Sequence, residues 1–267
     1  MRSLPSYVHA FGVLAGLASV SCGGSDPLPK PAVPAVKAPQ DESVTRPVGP
    51  VVEQEFGSIE PRDVEKTVAS LASKLEACHA QGRERVAVLA GDVRVFSRVG
   101  RDGRVKYQHI EESTLGDRAT EECILSVFSA ASWPKPIGGE AEIHNAFGWA
   151  GGSERAPTSW GPEKVTVALE GHQEKKKAVD KCKAGIAGDF RVTAYVEHVG
   201  ADEALAMPSK SRKTRSAPPK ARGRFISLGI SSPGQAASEK AACILDALSD
   251  LSLPSPGSYP AKVSFLL

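Results

Sequence analysis

Apolar residues recur along the chain in two periods. Val64, Val68, Leu71, Leu75 and Cys78 return every three or four positions, which places them on one face of a helix. Val86, Val88, Val93, Val95 and Val99 alternate with polar residues over much of a stretch that reads as strand. Arg101-Asp102-Gly103 reads as a hairpin turn, and Val105 to Ile110 as the returning strand. Thr114 to Ser129 has the pattern of a second helix, with Thr120, Cys123, Ile124, Val127 and Phe128 inward. Pro134 and Pro136 end it. Glu142 to Trp149 supplies a third strand. The charged pairs Glu111-Glu112 and Glu121-Glu122 fall at a strand end and on a helix surface, and read as solvated.

The same pattern then returns. Gly91-Asp92-Val93-Arg94-Val95 recurs as Gly188-Asp189-Phe190-Arg191-Val192, and Cys123-Ile124-Leu125 as Cys243-Ile244-Leu245. Gly103 to Cys123 and Gly223 to Cys243 both span 20 residues, and Cys123 to Pro136 and Cys243 to Pro256 both span 13. From Gly103 to Phe147 the first copy runs without a gap against Gly223 to Leu267, so the chain contains a duplication. The second copy is degenerate. It is shorter after its first cysteine and carries an insertion over 201–222. Its Val165-Thr166-Val167-Ala168-Leu169 alternates like a strand, which leaves Gln173 to Lys183 as its first helix. The expected organisation is residues 58–150 as repeat one, 151–162 as a linker and 163–267 as repeat two. Each repeat is expected to be α+β, with two helices packed on a three-stranded antiparallel sheet.

The region before the repeats has a different character. Tyr7 to Ser21 is an apolar run of about fifteen residues, in the range of a signal peptide and short for a membrane span. Small residues at Ser19 and Ser21 suit an ordinary signal peptidase. Small residues before Cys22 also suit a bacterial lipobox, in which Cys22 is lipidated, although Ser19 stands where such motifs usually have Leu. Residues 1–21 then form the signal and 22–57 a lipidated cysteine with its tether. Seven prolines lie between Pro27 and Pro50 and no aromatic residue falls in 23–55, so this segment is expected to stay disordered and extended. At about 3.1 Å per residue it reaches roughly 100 Å.

Five cysteines in an exported chain leave one over. Assigning Cys22 to lipid leaves Cys78, Cys123, Cys182 and Cys243. In each repeat the first lies late in helix one and the second early in helix two. The symmetry of the repeat selects Cys78–Cys123 and Cys182–Cys243 from the three pairings available, in an oxidising compartment. An unstrained bridge closing so long a loop adds roughly 3–4 kcal/mol by chain entropy. A zinc site is the rival, but no Cys-x-x-Cys spacing occurs and His79 is the only adjacent histidine, so no metal is expected.

The run GDVRVFSRVGRDGRVKYQHIEESTLGDRATEECILSVFSAASWPKPIGGEAEI resembles the TonB C-terminal-like domain, in particular the myxobacterial variety known as the AgmX/PglI C-terminal domain. The matching features are Gly103 in the hairpin, Ser113-Thr114-Leu115 before the helix, Glu122-Cys123 within it and Trp133-Pro134-Lys135-Pro136-Ile137-Gly138-Gly139 after it, with Cys78 as that variety's first cysteine. The resemblance covers about residues 60–150, and repeat two keeps only its skeleton. It implies helices on an antiparallel sheet, a cell-envelope location and a protein-binding, non-enzymatic role. In TonB itself an edge strand pairs with a short peptide of an outer-membrane receptor. A TonB begins with a membrane helix, where this chain has the lipobox-like cysteine, so energy transduction is not part of the expectation.

Composition narrows the remaining choices. Lys+Arg 33 against Asp+Glu 31 gives a net charge of +2, which implies no nucleic-acid partner. The insertion is the exception. Lys210, Arg212, Lys213, Arg215, Lys220 and Arg222 outweigh Asp202 and Glu203. It reads either as a loop contacting an anionic lipid or cell-wall surface, or as a solvated hairpin tip without a role. His79, His109, His144, His172 and His198 are scattered, and no nucleophile, metalloprotease or phosphate-loop motif occurs. No enzyme, cofactor or small-molecule substrate is expected. Two readings stand. One is a lipid-anchored scaffold, on the periplasmic side of the outer membrane or at the cell surface, that pairs an edge strand with an envelope protein. The other is a structural envelope lipoprotein with an inert surface. The candidate strands are Val105–Ile110 and Glu142–Trp149, and an exposed, uncharged edge favours the first reading.

Overall fold

The structure is a computed structural model that describes residues 56–152, 154–200 and 222–267. Repeat one contains α1 (Pro61–Arg85), β1 (Gly91–Val99), β2 (Val105–Ser113), α2 (Arg118–Ser129) and β3 (Ala141–Trp149). Its strands form an antiparallel sheet in the order β2-β1-β3. Pro61 opens α1, where its missing N–H costs nothing, and Arg83 and Arg85 sit at the helix's negative end. Leu71, Leu75, Leu89, Val93, Val95, Ile110, Ile124 and Phe128 fill the space between helices and sheet. Two boundaries differ from expectation. Val86 and Val88 are buried in the turn after α1, and the strand starts only at Gly91. The second helix starts at Arg118 rather than Thr114. Gly116 takes a positive φ of 84°, and Asp117 caps the helix by accepting the Thr120 N–H at 3.1 Å.

The second repeat contains β4 (Thr158–Trp160), α3 (Glu163–Gly171), α4 (Gln173–Lys183), β5 (Arg191–Val199), β6 (Arg222–Ser231), α5 (Gln235–Ser238), α6 (Ala241–Leu248), β7 (Leu253–Pro254) and β8 (Ala261–Leu266). The chain is thus α+β, but its second sheet corrects the three-stranded expectation. It has five strands in the order β4-β8-β5-β6-β7, and β4 runs parallel to β8. β4 also gives structure to part of the stretch expected to be linker. Residues 165–169 are helical, not extended. Val165, Ala168 and Leu169 meet the core at helical spacing, while Val167 is 67% exposed, although a strand would have put it on the same face as Val165.

Cys78 is bonded to Cys123, joining α1 to α2, and Cys182 to Cys243, joining α4 to α6; these are the pairs the repeat predicts. Loops of 45 and 61 residues make each bridge worth about 4 kcal/mol by chain entropy. Two disulfides of this kind place the chain outside a reducing cytoplasm. Among the described residues no helix is long and apolar enough to cross a membrane.

The two repeats meet without two-fold symmetry. The face of the second sheet turned away from its own helices packs on the start of α2 and the end of β2. Tyr195 on that face is wholly buried in the core of repeat one. Its hydroxyl accepts from the Ala90 N–H at 3.2 Å and lies 3.1 Å from the Ala90 carbonyl. Asp117 accepts from Ser227 Oγ at 2.6 Å and pairs with Arg85. Glu121, expected to be a solvated surface charge, has no exposed area. Its two oxygens accept from Ser113 Oγ at 2.7 Å and from the Ile230 N–H at 3.0 Å. Helical phase alone could not reveal this, because the burying surface belongs to the other repeat.

This seam generates two predictions. A Cβ built on Gly229 would lie 2.3 Å from Glu121 Oε1 and 2.9 Å from the Gly116 Cα. Gly229→Ala is therefore expected to cost about 1–3 kcal/mol in urea unfolding, by overpacking a backbone contact that cannot yield. Burial pushes the Glu121 carboxyl up to about 7, against the Ser113 and Ile230 hydrogen bonds and the nearby Arg118. The folded chain then holds a proton that the unfolded chain releases near pH 4.5, so this contribution is full below pH 4.5 and declines as pH rises to about 7. His109, kept neutral by burial, acts in the opposite sense below its usual range, so the test is a difference. Between pH 4.5 and 7, Glu121→Gln should gain stability relative to the native chain as pH rises. Parallel pH profiles would show that Glu121 does not titrate in this window.

Candidate functional site

The order β2-β1-β3 leaves two edges in the first sheet, and the second repeat closes one of them. The Ser232 N–H donates to the Ile110 carbonyl at 3.0 Å, and the segment leading into α5 lies along β2. Of the two candidate strands, the one that includes Val105–Ile110 is thus covered at its Ile110 end. Among the described residues β3 pairs only with β1.

A groove follows the open side of β3. The Gly57 N–H donates to the Glu140 carbonyl at 2.8 Å, but the chain then leaves the strand, and Ser58 exchanges two 2.9 Å bonds with Ile137. The space that opens has a volume of about 400 Å³. Its walls are Gly57 to Ile59, Pro61, Val64 and Glu65 on one side and Ala141 to His144 on the other. The second repeat shows the same position filled. There the Thr158 N–H donates to the Pro260 carbonyl at 2.9 Å, the counterpart of the Gly57–Glu140 bond in the repeat register. Ser159 and Trp160 then continue along Lys262 and Val263 as β4.

Since the Glu140 carbonyl points away from β1 and backbone direction alternates along a strand, Glu142, His144, Ala146 and Gly148 present their N–H and C=O groups outward. Glu142 is the only Asp, Glu, Lys or Arg between Ala141 and Trp149, with His144 as the one histidine. It pairs with Arg98, whose guanidinium lies 5.1 Å from the Phe56 ring and 5.3 Å from the Tyr107 ring. Below it, the cross-strand row His109–Phe96–His144 brings two histidines against one phenylalanine, at 5.0 and 5.1 Å between ring centres. His144 Nδ1 lies 3.0 Å from Glu111 Oε2. His109 is buried. Loss of hydration pulls its pKa below the usual value, with Glu111 opposing, and its Nδ1 has no partner among the described residues. In sequence these histidines read as scattered. The register that unites them requires knowing that β1 lies between β2 and β3.

The other expected sites fall elsewhere. Cys22 lies outside the described residues, as do Lys210, Arg212, Lys213, Arg215 and Lys220. Arg222 opens β6 and is exposed. Among the described residues no group of three or more His, Cys, Asp or Glu side chains is placed to hold a metal ion. The β3 edge offers alternating backbone donors and acceptors beside a shallow groove, an arrangement suited to an extended peptide. No protein-family model, no curated protein and no solved structure matches the chain.

Proposed function

We propose that this chain is a non-enzymatic binding module of the cell envelope that takes an extended segment of a partner protein onto the open edge of β3. The observation that carries the reading is the contrast between the repeats. The edge filled by Thr158–Trp160 in the second is open in the first among the described residues, beside a groove of about 400 Å³. Edges this long and this poor in charge invite strand pairing, and proteins usually block them. The tandem TonB-C-like reading supplies a precedent for peptide pairing at an edge strand. The disulfides support a location outside the cytoplasm, with a lipid on Cys22 and the Pro-rich segment as tether.

The alternative is an inert structural lipoprotein, and the closely packed seam is what favours it. One variant separates the two. Ala146 is exposed and its N–H faces away from β1, so Ala146→Pro removes an outward donor and leaves the β1 ladder intact. With a photoreactive residue at His144, the full chain in its own membranes should form a discrete protein adduct that Ala146→Pro abolishes, at an unchanged melting temperature. An adduct indifferent to the proline, or none at all, would favour the inert surface.

A further inference from the structure

A second recess lies between the repeats, distinct from the β3 groove. It has a volume of about 450 Å³, and Val88, Ala90, Trp160, Tyr195, Lys262 and Ser264 are among its walls. Among the described residues that line it, Lys262 is the only charged one. Its amino group donates to the Ala90 carbonyl at 2.6 Å and lies 5.3 Å from the Tyr195 ring centre. Among the described residues no carboxylate pairs with it, and Asp92 reaches it only through space.

The repeat register explains how this came about. Arg98 stands opposite Glu142 in the first sheet, and Tyr195 opposite Lys262 in the second. In repeat one the cross-strand pair is an ion pair. In repeat two the acid is replaced by an ammonium and the guanidinium by a phenol, which leaves a part-buried cation with no directly paired carboxylate among the described residues. An ammonium has three donors, and the protein occupies one with Ala90. Burial drives the Lys262 pKa down to about 8, so the charge is held at a cost. The recess also has an aromatic wall. Trp160 forms one side, and the Lys164 amino group, which does not line the recess, lies 5.6 Å from its ring. The recess is open to solvent on one side, and apolar walls with one oriented polar group are the usual make-up of a small-molecule site.

We propose that this cleft binds a small organic carboxylate with an aromatic or apolar body, its carboxylate on the Lys262 ammonium and its body against Trp160. The bound anion supplies the counter-charge that Glu142's replacement removed. Binding then requires protonated Lys262. The other charged or titratable groups facing it are Asp92, Tyr195 (kept neutral by burial) and, across Trp160, Lys164.

The test uses the full chain with phenylacetate as probe and benzyl alcohol as its uncharged counterpart, followed by NMR at the Trp160 indole N–H. Phenylacetate should give a saturable shift, weakening as pH rises above about 8. Benzyl alcohol should give none, and Lys262→Met should weaken phenylacetate by about tenfold or more. Equal affinity for both probes, no saturation by phenylacetate, or an unaltered Lys262→Met would overturn the proposal. A second readout avoids the variant. At pH 8 a limiting amount of acetic anhydride should acetylate Lys262, and phenylacetate should protect it. Acetylation at an unchanged rate would equally overturn the site.

Discussion

Two carboxylates at the start of α2 hold the repeats in register. Asp117 caps the helix through Thr120 with one oxygen and takes Ser227 of the second sheet with the other. Glu121, one turn on, joins Ser113 of its own repeat to the Ile230 N–H of the next. Each of these four contacts is a hydrogen bond to a charged or chargeable oxygen in a dry site, so each is short-range and unforgiving of displacement. Such groups are costly to bury, and their value lies in fixing a single arrangement. They do so here because Gly116 and Gly229 let the backbones approach within a distance that no side chain would permit.

That arrangement makes two similar halves unequal. The face of the second sheet that enters the seam carries Thr193, Tyr195, Ser227 and Gly229, which are small, or neutral and hydrogen-bonded, and one cation, Lys262, bonded to the Ala90 carbonyl. The corresponding face of the first sheet carries Arg94 with Glu112, Arg98 with Glu142 and Glu111 beside His144. It could not pack dry against another repeat without leaving those charges unsolvated. The edges diverge in the same way. β8 is closed by β4, β2 by the segment after β6, and β3 is left open among the described residues. The unpaired backbone and the groove beside it thus belong to the repeat that the sequence pattern preserves best.

The sequence was legible wherever one repeat settles its own structure. The face of α1 through Leu71, Leu75 and Cys78, the hairpin at Gly103 and the two disulfides follow from local period and from equal spacing. It misled where two periods fit the same letters. Residues 165–169 satisfy both alternation and helical spacing, and packing of Ala168 and Leu169 decides between them. Contacts between repeats were invisible for a different reason. Glu121 and Glu122 are adjacent acids on one helix, yet one has no exposed area and the other is exposed, a distinction made by Ile230 and Gly229 more than a hundred residues away.

The same reasoning accounts for where the repeats have diverged in charge. In the first sheet one cross-strand row holds Arg98 and Glu142 as an ion pair, so each charge has its partner directly across the strands. In the second sheet that row faces Ala90 across the seam. An arginine at 195 would have to enter the core that Tyr195 fills, carrying a charge that the phenol does not. Once the arginine is lost, an acid at 262 has no cation opposite it and would face the Ala90 carbonyl, acceptor against acceptor. A lysine turns that contact into a hydrogen bond, so packing and carbonyl geometry together dictate the reversal from Glu142 to Lys262. The residual unbalanced ammonium is the consequence of burying one copy of a face whose other copy remained charged.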